Sequence, residues 1–154
     1  MTGSPKVIDA LNDVLAHALA LHQQAHLEEH WFESLKYSFS DWFDAIETKA
    51  HAKMVHPTMN RIRQLGGKIV AKWAWQPTYE ESVGPAMKSL LASMQKTRES
   101  LGRACTAAED DEDYVTEKMI WCMLEKLERW VVKYEARIAQ HDKIGETAFL
   151  AEFI

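Results

Sequence analysis

Apolar positions near the start of the chain follow the repeat of an α-helix. They recur at steps of three and four residues: Val7, Leu11, Val14, Leu15, Ala18 and Leu21. Side chains at this spacing share one face of a helix, and that face can pack against a core. Pro5 suits a first helical turn and Ser4 can cap it, so the pattern predicts a helix from about Pro5 to Trp31.

A second helical pattern runs from about Phe32 to Gln64, where Gly66-Gly67 ends it. Its apolar face consists of Leu35, Phe39, Trp42, Phe43 and Ile46. Pro57 lies well inside this helix and removes one backbone hydrogen bond. A proline at such a position costs about 3 kcal/mol and should kink or bulge the helix.

The remaining sequence predicts two more long helices and a short one. Residues 68–80 contain a short apolar run without a partner strand, so we expect an extended crossover there. A third helix is predicted over about residues 81–108, a fourth over about 113–141, and a short fifth after Gly145. Two helical hairpins joined by one long crossover form the all-α topology of a ferritin-like four-helix bundle.

Composition supports a single domain spanning residues 1–154. Apolar residues make up 47% of the chain and charged residues 27%, which excludes an intrinsically disordered protein. The formal net charge of −5 argues against a general nucleic-acid-binding protein. No stretch approaches the roughly 18 apolar residues of a membrane span, and the start does not resemble a secretory signal. Because Cys105 and Cys122 are the only thiols, we expect a cytoplasmic protein.

Short segments spread along the chain resemble bacterioferritin. They comprise Gly3, residues 6–8 (KVI), 11–12 (LN), 61–62 (RI), Leu65, Gly67, 113–115 (DYV), Lys143 and Gly145. The resemblance runs the full length with no apparent need for gaps. It implies a ferritin-like bundle with a short fifth helix, in a subunit that assembles with copies of itself.

The resemblance also implies where a bacterioferritin would hold its di-iron centre. Carried over position by position, the six ligand positions fall on Ala18, His51, Met54, Met94, Leu127 and Trp130. Bacterioferritins have glutamates and histidines at these positions. Two iron ions need several anionic oxygens, and none of the six side chains supplies one. We therefore expect neither a di-iron centre nor ferroxidase activity.

Two interpretations of the altered positions remain. Apolar replacements are typical of core filling, because they avoid the cost of burying carboxylates without a metal. His51 would then be packed among apolar residues. Alternatively, His51, Met54 and Met94 form a weak soft-ligand set of one imidazole and two thioethers, which suits Cu(I).

The haem position of the family is altered as well. Bacterioferritins hold haem b at a two-fold interface through one Met from each subunit, and that Met falls on Ala52. His22, His26 and His30, however, form a ridge along one side of the first helix. By the resemblance this side faces the haem pocket, and His56 lies one turn beyond Ala52.

We therefore expect His22, His26 and His56 to line this two-fold interface and to bind a cofactor there. Imidazole ligates haem iron, zinc and copper. Haem b is the first expectation, and Zn or Cu is the alternative. Histidines at this spacing are also common on helix faces that bind nothing, so a merely solvated ridge is the second interpretation.

Three functions are consistent with these features. The first is a bacterioferritin-like subunit without a ferroxidase centre that binds haem or a transition metal, for storage or electron transfer. The second is an inert structural subunit that co-assembles with an active bacterioferritin in an iron-storage cage. The third is a haem enzyme, for which the sequence offers no acid–base constellation. The expected partner is a second copy of the chain, in a dimer that builds a larger cage, and neither nucleic acid nor membrane is expected.

Overall fold

The computed structural model describes residues 2–153, which form helices joined by short turns and one long connection. The helices are α1 (Pro5–Ser34), α2 (Ser40–Ala50), a π-helix (His51–Val55), α3 (His56–Gln64), α4 (Val83–Asp110), α5 (Tyr114–Ile144) and α6 (Glu146–Ala151). Within the described residues there is no β-strand. The predicted all-α fold is therefore confirmed.

The helix ends follow from local capping. The Ser4 hydroxyl accepts a hydrogen bond from the Val7 amide (3.2 Å) at the start of α1. At the start of α5, the Asp113 carboxylate accepts one from the Thr116 amide (3.1 Å). Gly145 takes a φ of +84° and separates α5 from α6, a conformation that glycine adopts without strain. These helices therefore begin or end where the sequence carries a matching signal.

The boundary between α1 and α2 differs from the prediction. α1 continues to Ser34 and α2 begins only at Ser40, so Phe32 belongs to α1 and not to the second helix. Lys36 lies in the left-handed region, with a φ of 65°, within the turn between them. The rings of Phe32 and Phe39 pack with centroids 4.9 Å apart. Because apolar residues on both sides of the turn face the same core, the apolar repeat does not reveal the break.

Pro57 disrupts the second helix as predicted, and the disruption takes the form of a π-helix. α2 passes into the π-helix His51–Val55 and then into α3. The His56 amide donates to the carbonyl oxygen of His51, five residues back. Proline has no amide hydrogen and its ring clashes with the carbonyl one turn back, so one inserted residue relieves the conflict. The insertion changes which side chains face the bundle before and after it.

Two antiparallel helical hairpins build the bundle. α1 packs against α2, α4 packs against α5, and α1 also packs along α4. Residues 67–82 connect the hairpins without regular structure and are held to α1, for example by the Ala74 amide on the Ala16 carbonyl (3.0 Å). The predicted long crossover and short C-terminal helix are confirmed. In the part of the chain that the structure describes, no helix is both long enough and apolar enough to cross a membrane.

Candidate metal site on the α1–α2 face

The bundle interior is apolar at the positions that the resemblance assigns to a di-iron centre. Ala18, Met94 and Leu127 are completely buried. Met54 and Trp130 retain only 1% and 5% exposure, and all five residues belong to the hydrophobic core. None of them offers an anionic oxygen. The residues present therefore do not fit a di-iron centre.

His51 is placed differently from the expectation that it packs in the interior. It is exposed at the first residue of the π-helix, and its ring centroid lies 5.5 Å from that of His22. The buried residues on either side are Ala50 and Met54. A π-helix has more residues per turn than an α-helix, so inward-facing positions lie further apart and His51 falls outside. The structure therefore does not bring His51 together with Met94.

One carboxyl group is nevertheless buried in the described interior, that of Glu28 on α1. Gln24 donates a hydrogen bond to its Oε1 (3.4 Å), and its Oε2 has no partner. Burial raises the pKa of Glu28 from 4.5 to about 9, and the negative charge of Glu80 acts in the same direction. The group is neutral at pH 7 and supplies no charge for a metal ion.

Ligand-type side chains gather instead on the outer face where α1 packs against α2. We call this group the α1–α2 cluster, and it comprises His22, His26, Glu29, Glu47 and His51. The Nδ1 of His26 lies 2.8 Å from Oε1 of Glu47. One ligand atom from each of His26, Glu29 and Glu47 lies within 4.8 Å of the other two. Ligand atoms on one zinc ion lie roughly 3.3–3.6 Å apart, so small side-chain rotations would bring these three onto a shared ion.

Helix geometry explains how the cluster forms. Glu29 follows His26 by three residues on α1, so the two side chains share a face. Glu47 reaches the same place from α2, which packs against α1. The Nδ1–H of His22 donates to the backbone carbonyl oxygen of Glu47 (2.9 Å), because a carbonyl can only accept. That bond orients the ring and leaves Nε2 of His22 with a lone pair for a ligand.

Electrostatics also favour a cation at the cluster. Partial burial, a hydrogen bond to Glu33 and the negative charges of Glu33, Glu47 and Asp44 raise the pKa of Glu29 to about 7. Carboxylates that crowd one another in this way repel when all are ionised. A bound cation relieves this repulsion, so that the ionised form of Glu29 becomes more stable than its protonated form.

Two other histidines named from the sequence, His30 and His56, are not among the residues whose ligand atoms converge with those of His26. His30 is exposed near the C-terminal end of α1, one turn beyond His26. His56 is exposed at the first residue of α3, beyond the π-helix. Ala52, where the resemblance implies the haem-ligating Met, is exposed as well. The structure thus brings His22 and His26 together at Glu47.

Sequence reasoning did not identify Glu29 and Glu47 as site residues. For Glu29 a local signal exists, because His26 and Glu29 are spaced to share one helix face. No such spacing in the sequence relates Glu47 to His26. Their contact depends on how α2 packs against α1, which local spacing does not determine.

Comparison with known proteins places the chain within one family. The family model described as ferritin-like domain matches residues 8–144, which is most of the chain. No curated protein matches the sequence.

Proposed function

The chain belongs to the ferritin-like domain family, and from this premise we propose that it is a bacterioferritin-like member without a ferroxidase centre that binds a transition-metal ion at the α1–α2 cluster. The ferritin-like domain points to iron storage or a related function. For this chain we propose storage or electron transfer. The observation that carries the proposal is the convergence of His26, Glu29 and Glu47 from two helices, with ligand atoms within 4.8 Å of one another.

The purified protein should not oxidise Fe(II) rapidly. Ala18, Met94 and Leu127 are completely buried and contribute no carboxylate, so a pair of iron ions would lack anionic ligands inside the bundle. In a stopped-flow assay that mixes Fe(II) with oxygenated protein, we expect the rate of the protein-free buffer. A fast phase that saturates at about two Fe(II) per subunit, as a di-metal site would require, contradicts this expectation.

The ligands of the cluster suit a first-row transition-metal ion of intermediate softness. One imidazole nitrogen and two carboxylate oxygens are ligands that Zn²⁺ accepts, and imidazole also suits Cu²⁺. Three protein ligands leave one position of a tetrahedral ion open. His22 and His51 stand beside the site as further nitrogen donors. We take Zn²⁺ as the first candidate and Cu²⁺ as the second.

Replacing His26 with Ala or Glu47 with Gln should lower zinc affinity at least about tenfold. Each change removes one ligand, and Glu47→Gln does so without changing the shape of the side chain or the backbone carbonyl that His22 contacts. Calorimetric titration of metal-free protein with zinc chloride measures the affinity. Elemental analysis of the protein as purified identifies the metal that it carries.

His30→Ala is the matched control for these variants. His30 is exposed on the same helix as His26 and lies outside the α1–α2 cluster. Its replacement should leave zinc affinity unchanged. Equal losses in His30→Ala and His26→Ala would contradict the assignment, as would wild-type protein that binds neither zinc nor copper.

Haem b is a second candidate ligand for the same face. The observation that favours it is the orientation of His22, whose Nδ1–H is held on the Glu47 carbonyl while Nε2 keeps the lone pair of an axial ligand. We propose that a two-fold dimer brings two copies of this face together, as in the bacterioferritins that the sequence resembles. A Soret band in protein expressed with ample haem, lost in His22→Ala, would favour haem over a metal ion.

An inert structural subunit is the second candidate function. The core is continuous and apolar at the positions where bacterioferritins carry metal ligands. This favours a subunit that forms part of the protein shell of a cage and carries no reactive site of its own. Co-expression with an active bacterioferritin, followed by native mass spectrometry, tests for mixed assemblies. Mixed assemblies in which this subunit carries neither metal nor haem would favour the structural role.

A further inference from the structure

A groove between α2 and α5 is lined almost entirely by cationic side chains. The lining residues are Lys49, Lys53, Lys126, Arg129, Trp130 and Lys133, and the volume of the groove is 280 Å³. None of these lining residues is acidic. The chain as a whole carries a formal charge of −5, so this concentration of five positive charges does not reflect overall composition.

Helical spacing explains the concentration of charge. On α5, Lys126, Arg129 and Lys133 follow one another at steps of three and four residues and form a stripe along one face. The opposite wall carries Lys49, on α2, and Lys53, four residues later on the π-helix that continues α2. The indole of Trp130, 5% exposed, occupies the space beneath and forms the floor.

Among residues 2–153, the five cations lack carboxylate partners. None of them forms an ion pair with an acidic side chain of residues 2–153. Acidic residues only border the groove: Asp41 lies toward one end, and Glu125 and Glu128 lie beside Arg129 on the outer surface of α5. Glu128 is already paired with Arg98 (2.9 Å). Like charges held this close repel, and a bound anion removes that repulsion.

We propose that the groove between α2 and α5 binds a chain of phosphate groups, from inorganic polyphosphate or from the phosphate tail of a nucleotide. Lysine acts as a point charge toward phosphate, and the arginine fork matches two phosphate oxygens at once. Cations on both walls can contact successive phosphates of one chain. Trp130 is too deeply buried to stack on a base, so the phosphates are the part that is recognised.

The proposal is independent of the metal site. The groove and the α1–α2 cluster share no residue. Lys49 comes two residues after Glu47, which places it on the other side of α2. Loss of metal binding and loss of phosphate binding can therefore be measured in separate variants.

Sodium tripolyphosphate is the probe for the test, added to the intact protein in a calorimetric titration at low, constant ionic strength. The groove variant carries Lys49→Gln, Arg129→Gln and Lys133→Gln, three exposed positions whose replacement leaves the core intact. We expect about one bound tripolyphosphate per chain in the wild type and at least about a tenfold loss of affinity in the variant. Thermal melting gives a second readout, because a ligand that binds the folded state should raise the melting temperature of the wild type more than that of the groove variant.

The control variant removes the same charge elsewhere, through Lys68→Gln, Lys72→Gln and Lys118→Gln, which are also exposed. It should bind tripolyphosphate like the wild type. An equal loss in the control would show non-specific charge attraction and would overturn the proposal. So would a wild type that does not bind tripolyphosphate, or one that binds oligoglutamate of equal charge as tightly.

ATP in place of tripolyphosphate distinguishes the two sources. Equal affinities support inorganic polyphosphate as the ligand, because the nucleoside then adds nothing to binding. Tighter binding of ATP that is still lost in the groove variant supports a nucleotide held by its phosphates. Binding of ATP that survives in the groove variant would contradict the proposal.

Discussion

Introducing glutamate through Ala18→Glu, Met94→Glu and Leu127→Glu together is expected to destabilise the metal-free protein to the point of unfolding. All three positions are completely buried. Each new carboxylate would lie in the apolar core without a partner, at a cost of roughly several kcal/mol. Ala18→Glu also forces extra volume into a packed site. The sum is comparable to the whole stability of a domain, about 5–15 kcal/mol.

Thermal and urea unfolding at pH 7 measure this effect. A control with Ser34→Glu, Gln95→Glu and Val132→Glu adds the same charges at exposed positions of the same three helices, and it should melt close to the wild type. Lowering the pH should recover part of the lost stability, because the buried acids then become neutral. An unchanged melting temperature of the core variant at pH 7 would show that the interior accommodates carboxylates.

Replacing Glu28 with Gln is expected to stabilise the protein at neutral and alkaline pH. Glu28 is completely buried, and its pKa is raised from 4.5 to about 9. At pH 7 the folded state must therefore retain a proton that the unfolded state has released. This corresponds to a penalty of about 3 kcal/mol relative to pH 4.5. Glutamine has nearly the shape of the neutral acid and never ionises, so the variant avoids the penalty.

The raised pKa of Glu28 determines whether the free energy of unfolding rises or falls with pH. A group whose pKa is raised on folding contributes fully to stability below its unfolded value and loses that contribution as pH rises through its folded value. Glu28 therefore lowers the free energy of unfolding progressively between pH 4.5 and about 9. The advantage of Glu28→Gln should be small at pH 4.5 and grow across this window.

Urea unfolding at several pH values tests the Glu28 prediction. Glu135→Gln is the matched control, because Glu135 is an exposed glutamate of α5 without an ion pair among the described residues. We expect the control to follow the wild type at every pH. A constant difference between Glu28→Gln and the wild type from pH 4.5 to 9 would contradict the raised pKa.

Local signals explain how much of the fold was predictable. The caps at Ser4 and Asp113 and the positive φ of Gly145 depend on a few neighbouring residues, so the sequence indicates where those helices begin or end. The turn between α1 and α2 was not predictable from the apolar repeat. Phe32 and Phe39 pack against each other across it, and the repeat continues through the break.

The candidate site was predictable only in part. Of its five residues, His22 and His26 follow from the ridge of histidines on α1, whereas His51 was named only in a different set, with Met54 and Met94. Glu47 joins His26 (2.8 Å) only because α2 lies antiparallel along α1. The cationic groove likewise needs two walls that are far apart in the sequence, so neither the spacing on α5 nor the net charge of the chain reveals it.

By itself the sequence determined the helical bundle, its long crossover and the break near Pro57, because periodicity, capping and the missing proline amide act within a few residues. Only the tertiary structure decided where the ligand-type side chains point. The π-helix sets His51 outside and Met54 inside, since an inserted residue shifts the phase of the helix. The packing of α1 on α2 then decides which carboxylate meets His26, because ligand atoms converge only when two helix faces are brought together in space.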